Sequence, residues 1–505
     1  MDTPPYAILQ SMSDPITPTT ISTGISGLDQ LLVGGFVTNR MYLIEGNPGT
    51  GKTTLALQFL LEGVAHGDAC LYVTLSETTV ELHAVAQSHG WALDGIEVFQ
   101  LAGAERATID EQYTLYHPSE VELGETIQAV LAVIERVKPR RIVFDSLSEM
   151  KLLAREPLRY RRQILALKEF FSGRDCTVLL LDDFSGGGGD LQLQSLSHGV
   201  ILLEQLPFDY GRARRRVRIV KYRGVPAIEG FHDFVIRRGG LTVFPQLVSS
   251  DAGLAGETPP IASGVAELDA LLGGGLSWGT ATVLIGPPGT GKSTLAASYA
   301  AAVREPAAVF LFDERRSSYF RRCEQLGIPL QEGTASGNLT VEQVEPGELS
   351  PGEFSYRVRD AVEHRGVRLI VIDSLNGYLT AIPQSDSPLI RMYELLSYLA
   401  GRGVATILIV AQHGVVGMAM AAPIDISYLA DAIVMLRFFE AHGEVRRAIS
   451  VVKKRTGRHE TTLREFRIGR EGLRVGDALT EFHGVLTGVP QYVGPRGPLM
   501  PNERS

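Results

Sequence analysis

Two glycine-rich stretches carry the residue types and spacing of a phosphate grip: GNPGTGKTT from Gly46 to Thr54, and GPPGTGKST from Gly286 to Thr294. In the first, Gly46, Gly49, Thr50 and Gly51 are small enough for backbone N–H groups to curl around phosphate oxygens; Gly286, Gly289, Thr290 and Gly291 repeat them in the second. Lys52 and Lys292 supply a cation for the β and γ phosphates, Thr53 and Ser293 a hydroxyl for Mg²⁺, and Thr54 and Thr294 close each motif. The copies lie 240 residues apart, about half of the 505-residue chain. Two bound nucleoside triphosphates are therefore expected.

Acidic residues follow each loop in the same order. Asp145 and Asp373 end the apolar runs RIVFD and LIVID, the position that faces the metal beside a phosphate loop. Glu77 and Glu314 are expected at the end of another strand, where a carboxylate can orient and deprotonate the water that attacks the γ-phosphoryl group. Each has a polar neighbour, Ser76 in the first half and Asp313 in the second.

The elements that position these residues are themselves duplicated. TGISGLDQLLVGG (residues 23–35) pairs with SGVAELDALLGGG (residues 263–275), YVTLSE with FLFDE, and RIVFDSLS with LIVIDSLN. Short apolar strands alternate with helical spacing, Ile127, Val130, Leu131, Ile134 and Val137 in one half and Phe354, Val358, Ala361 and Val362 in the other. That pattern predicts an α/β fold of two tandem domains, each a mostly parallel sheet covered by helices on both faces. The expected division is a tail over 1–14, a first domain over 15–247, a polar, glycine-rich linker over 248–260, a second domain over 261–490 and a flexible tail over 491–505.

Composition narrows the function classes. With 44% hydrophobic and 21% charged residues the chain has the make-up of a globular protein, and a net charge of −9 gives no broad pull toward nucleic acid. The three cysteines, Cys70, Cys176 and Cys323, lie in or beside apolar segments without metal spacing, so core positions in a reducing compartment are expected. The amino terminus has no signal-like apolar run and no stretch is long enough to span a membrane, so a cytoplasmic protein without membrane contact is predicted.

Together the TG-x-x-x-LD-x-LL-x-GG entry, the paired loops, the acidic pairs and the D-S-L strand ends resemble the KaiC family of double-domain, RecA-like P-loop ATPases, over about residues 20–490. The resemblance implies ATP and Mg²⁺ in both halves, a homo-hexameric ring, and serine/threonine autokinase and autophosphatase activity in the second half, serving a circadian-type or other signalling role. By the same resemblance, Lys221 and Arg223 in IVKYRG and Lys453 and Arg455 in VVKKRTG are cations that one subunit lends to the phosphates of its neighbour. Ser427 matches the serine of the family's phosphorylated pair, with Tyr428 where the best-known members have threonine, so the resemblance implies phosphorylation at Ser427 or at Tyr428, and Asp313 stands where those members have the glutamate base. The first half has Gln194 and Ser195 opposite that pair, so no autophosphorylation is expected there. A KaiB-like small regulatory protein is implied as a partner. The short, proline-rich carboxy terminus poorly matches the extension that binds a KaiA-like activator, which leaves that partner doubtful.

Two rivals share the phosphate loops. A RecA- or Rad55-like DNA-handling ATPase needs cations in the loops after the sensor strand, yet DDFSGGGGDLQLQ and AQHGVVGMAMAAPID hold no lysine or arginine. The basic run YGRARRRVRIVKYR is instead expected in the hairpin that carries Lys221 and Arg223. An ATP-gated scaffold without kinase activity is the other rival, kept open by Tyr428 and Asp313.

Overall fold

A computed structural model describes residues 18–100, 118–154, 156–184, 191–206, 213–247, 259–345, 347, 349–380, 388–412, 428–441, 443–486 and 489–494. The chain divides into two compact units, Met1–Gln246 and Leu247–Ser505.

The first unit is built on a nine-stranded sheet of β1 (Met41–Gly46), β2 (Cys70–Thr74), β3 (Ile96–Gln100), β4 (Arg141–Asp145), β5 (Thr177–Asp183), β6 (Gly199–Leu206), β7 (Arg214–Tyr222), β8 (Phe231–Arg237) and β9 (Gly240–Phe244). Their order is β9-β8-β7-β6-β1-β5-β4-β2-β3. Strands β6 through β3 in that order are parallel, and β7 to β9 extend the sheet antiparallel. The second unit repeats the plan with β10 (Ala281–Gly286), β11 (Ala307–Leu311), β12 (Leu339–Gln343), β13 (Leu369–Asp373), β14 (Ala405–Ala411), β15 (Ala432–Ala441), β16 (Glu444–Lys454), β17 (Arg464–Gly469) and β18 (Gly472–Ala478). Its order is β18-β17-β16-β15-β10-β14-β13-β11-β12, the first sheet with every number advanced by nine.

Burial on both faces explains why the parallel strands read as unbroken apolar runs. Alternate residues of β1 enter separate cores: Tyr42 and Ile44 pack with Leu55 and Phe59, and Met41 and Leu43 with Ile142 and Phe144. In the second unit Leu284 joins Leu295 and Tyr299 on one face, while Val283 and Ile285 join Phe310 and Phe354 on the other. The helical periodicities fall inside the helices Pro118–Val137 and Pro351–Glu363; Ser350 caps the latter by accepting from the Glu353 N–H at 3.1 Å. All three cysteines are buried and free, and desolvation raises the pKa of Cys70 and Cys323 to about 11 and of Cys176 to about 12, which suits inert core thiols.

One boundary differs from expectation. Gln491–Tyr492, placed by the sequence reading in a flexible tail, pairs antiparallel with Phe482–His483. The Tyr492 ring lies 5.3 Å from that of Phe482, which lies 5.2 Å from Phe439 at the edge of the core. An aromatic anchor amid glycine and proline is invisible to periodicity.

Each phosphate loop enters its helix through a glycine in the left-handed region, Gly51 at φ 103° and Gly291 at φ 101°. Added Cβ atoms would lie 2.5 Å from Ile236 Cδ1 and 2.2 Å from Ile468 Cδ1, on the equivalent strands β8 and β17. Strain and clash act together, so Gly51→Ala or Gly291→Ala should destabilise the chain by about 1–3 kcal/mol, read by denaturant unfolding.

Candidate nucleotide sites

In a parallel sheet all strand ends of one kind lie together, so Gly46, Asp145 and Asp183 meet at one edge of the first sheet, as do Gly286, Asp373 and Ala411 in the second. The loops leave β1 and β10 at that edge and open the helices Lys52–Ala65 and Lys292–Ala302. Both lysines are nearly enclosed, Lys52 at 9% and Lys292 at 6% exposure. Lys52 Nζ donates to the carbonyls of Gly46 at 2.6 Å and Asn47 at 3.2 Å, and Lys292 Nζ to Gly286 and Pro287, both at 2.8 Å. Lys52 also holds the carboxylate of Asp183 at 2.8 Å, whereas Ala411 occupies that register position in the second unit. Burial drives the pKa of Lys292 down from the ordinary 10.5 to about 8, with the Asp373 charge opposing.

Asp145 Oδ2 accepts from Thr53 Oγ1 at 3.2 Å and from Tyr72 at 2.5 Å. Burial raises the pKa of Asp145, and that of Asp373 to about 6, with a hydrogen bond from Ser293 and the Arg322 charge opposing and Asp313 and Glu314 adding to the rise. A buried carboxylate beside a hydroxyl at the mouth of a phosphate loop is the hard oxygen donor set that Mg²⁺ prefers. Thr53 with Asp145, and Ser293 with Asp373, therefore fit the ion expected there. Among the described residues no group of three or more His, Cys, Asp or Glu could hold a metal by itself. Phosphate oxygens and water would supply the remaining ligands.

Glu77 and Glu314 each lie three residues past the ends of β2 and β11 rather than on them, because the strands give way to bends. Their surroundings differ. Glu77 Oε2 is buried with no hydrogen-bond partner, and desolvation followed by the charges of Asp145 and Glu81 raises its pKa, with Lys52 opposing. Glu314 is gripped by Arg322 through Nη2 at 2.7 Å and Nε at 3.3 Å, and Arg322 Nη1 reaches Thr294 Oγ1 at 3.0 Å. Asp313 accepts from the Ser374 hydroxyl. Sequence reading missed Tyr72, Asp183, Arg322 and Gln412; the last has a buried Oε1 without a partner, and its N–H donates to Gly286 O at 3.1 Å. Of these only Asp183 carried a local signal, as one of two acids that end an apolar run.

The other named cations lie at the opposite end of each sheet. Lys221 pairs with Val200, in register with Leu43, three residues before Gly46; Lys453 pairs with Ile433, in register with Val283, three residues before Gly286. That is a retreat of ~10 Å along the strands. There Lys221 Nζ donates to the carbonyls of Gln194 at 2.6 Å and Ser197 at 2.7 Å, and Arg223 to Ser195 O at 3.3 Å. Lys453 donates to Ala430 O at 2.7 Å, and Arg455 meets Asp431 at 3.3 Å. Tyr428 shares this end, with its exposed ring 6.3 Å from that of Tyr393. Ser427 lies outside the described residues. In the basic run, Arg216 pairs with Glu204 at 2.5 Å and stacks 3.9 Å from the Phe231 ring, so this cation is already satisfied within the sheet.

A family model described as "ATPase: KaiC" matches residues 21–248 and again 261–480. The chain belongs to the KaiC ATPase family. It is similar to the circadian clock protein KaiC3 of Synechocystis, 26% identical with 94% of each chain covered. It is also similar to the circadian clock oscillator proteins KaiC of Prochlorococcus marinus (26%; 94% of this chain, 95% of the relative) and Synechococcus elongatus (25%; 93% and 92%). It is a KaiC-family ATPase with two tandem domains. Among the described residues no helix is long and apolar enough to cross a membrane.

The Lys292 ammonium makes a testable mark on the nucleotide-free protein. Its folded pKa, about 8, lies below the ordinary 10.5, so the cost of burying the charge is fully present below pH 8. That cost fades as pH rises through 8 toward 10.5, because the folded state releases its proton first. Lys292→Met should therefore raise the melting temperature at pH 7 more than at pH 9.5, and should lose the further rise that ATP gives the second unit.

Proposed function

We infer that the two sites divide the chemistry, the first hydrolysing ATP with Glu77 as base and the second passing phosphoryl groups to Ser427 with Asp313 as base. The observation that carries this reading is the contrast between Glu77, whose Oε2 is buried and unpartnered, and Glu314, which Arg322 neutralises. A desolvated carboxylate with a raised pKa is suited to take a proton near neutral pH. In the first site Glu77 accepts a proton from water as its oxygen bonds to the γ phosphorus, the bond to the β–γ bridging oxygen breaks, and ADP departs with that electron pair. In the second, Glu314 is occupied, which leaves Asp313 to accept the Ser427 proton as its oxygen takes the γ-phosphoryl group. Lys52 and Lys292 hold the transferred charge at the loop. Mg²⁺, held by Thr53 and Asp145 or by Ser293 and Asp373, would neutralise the phosphate oxygens.

The sheet-end geometry supports an assembly in which copies of the chain share their sites. Lys221 and Lys453 lie three residues back along the strands from Gly46 and Gly286, with Arg223 and Arg455 beyond them, which supports the reading that they serve a triphosphate on another copy. Tyr428 lies two residues before Ala430, whose carbonyl Lys453 holds, which supports a role for this segment at the same end of the sheet. A homo-hexamer is the assembly this reading takes from the family. Its role is regulatory, of the circadian or a related signalling type, in the cytoplasm, with a KaiB-like protein as partner.

Incubation with γ-labelled ATP and Mg²⁺ tests the division. Wild type should acquire protein-bound label, lost in Ser427→Ala and Asp313→Asn and retained in Glu77→Gln. Phosphate release by Glu77→Gln should fall by about 10²-fold at the first site, measured with Lys292→Met to silence the second. Absence of label from wild type would remove the kinase half, and undiminished release from the glutamine variant the hydrolytic half.

A further inference from the structure

The two loops differ at one contact for which the protein provides its own control. Lys52 Nζ and Lys292 Nζ each bond two loop carbonyls, but among the described residues only Lys52 also bonds a carboxylate, Asp183 Oδ1 at 2.8 Å. Asp183 ends β5 beside Gly46, and Ala411 ends β14 beside Gly286, so the two residues are register equivalents. A partner residue fixes each in place. Ser148 Oγ donates to Asp182 Oδ1 at 2.9 Å and accepts from the Asp183 N–H at 3.3 Å, while Asn376 accepts from the Ala411 N–H at 2.8 Å and donates to its carbonyl at 3.1 Å. Ser148 and Asn376 are themselves equivalents, in DSLS and DSLN. The backbone position is conserved between the units and the side chain is not.

A lysine in this loop takes the β and γ phosphates. In the first site a carboxylate already occupies that cation, and its oxygen has the charge and reach of a phosphate oxygen. The entering nucleotide must break the ion pair and leave Asp183 beside the triphosphate, a like-charge placement that costs binding energy. Among the described residues the second site has no such competitor, since Ala411 stands at that position. We propose that Asp183 is an affinity-setting residue of the first site, an internal competitor that holds Lys52 until a nucleoside triphosphate displaces it. This rests on the reading of both loops as nucleotide sites. The ion pair is partly open to water, with 43% of the Asp183 side chain exposed, so its effect is that of a partly screened pair, about fivefold in affinity.

The test uses full-length chains with one loop silenced, titrated with a fluorescent methylanthraniloyl-ATP in Mg²⁺. In the Lys292→Met background, Asp183→Ala should tighten binding at the first site about fivefold, mostly by a faster association. In the Lys52→Met background, Ala411→Asp should weaken the second site by a similar factor, and this arm decides the matter if Asp183→Ala does not fold. Unchanged or weaker binding by Asp183→Ala overturns the proposal, weaker binding indicating that Asp183 works with Asp145 on the metal instead. Failure of otherwise wild-type chains to bind the probe would overturn the nucleotide reading itself and this inference with it.

Discussion

A lysine ammonium enclosed at the carboxyl edge of a parallel sheet is the constraint on which both units are built. An unpaired cation in that position is costly, so the chain surrounds it with carbonyls of its own loop. That collar needs a tight turn into the helix, and the turn needs a left-handed glycine pressed against Ile236 or Ile468. Those isoleucines ride on the antiparallel extensions β8 and β17, so even strands far from the phosphates in sheet order are tied to the shape of the loop. The nucleotide completes a coordination shell that the protein alone leaves partly improvised.

Duplication preserved this frame and let the side chains around it drift apart. The first site gained acid around its lysine through Asp183, with Asp182 buried next to it and Glu45 on β1; the corresponding register positions of the second carry Ala411, Val410 and Ile285. The second site instead gained a cation, Arg322, whose equivalent by position after the paired acids is Val85. One site therefore balances its lysine with a carboxylate and leaves a glutamate free, while the other starves its lysine and binds its glutamate. The same backbone can thus support opposite electrostatic arrangements.

Much of this was legible in the sequence, and the division follows a physical line. The loops, Asp145, Asp373 and the alternation of strand and helix are local, because each depends on residues within a few positions of one another. The repeat then fixed equivalences, so finding Lys221 with Gln194 and Ser197, and Lys453 with Ala430, accords with the pairing of the two segments. What escaped depends on register between strands distant in sequence. Nothing in DDFSGG says that its second aspartate will meet a lysine 131 positions earlier, or in RRCEQ that its second arginine will seize Glu314. Strand ends were misjudged slightly for Glu77 and Glu314, since the chain bends before reaching them, and the carboxy-terminal pairing at Tyr492 rests on two aromatic rings.

The separation of loop and cation to opposite ends of each sheet bears on inheritance as well as mechanism. In the proposed ring, a copy damaged at its loop still offers intact cations to one neighbour, and a copy damaged at Lys221 or Lys453 still offers an intact loop to the other. Two inactive alleles of these opposite kinds, mixed in one assembly, can then restore some whole sites between them, while two of the same kind cannot.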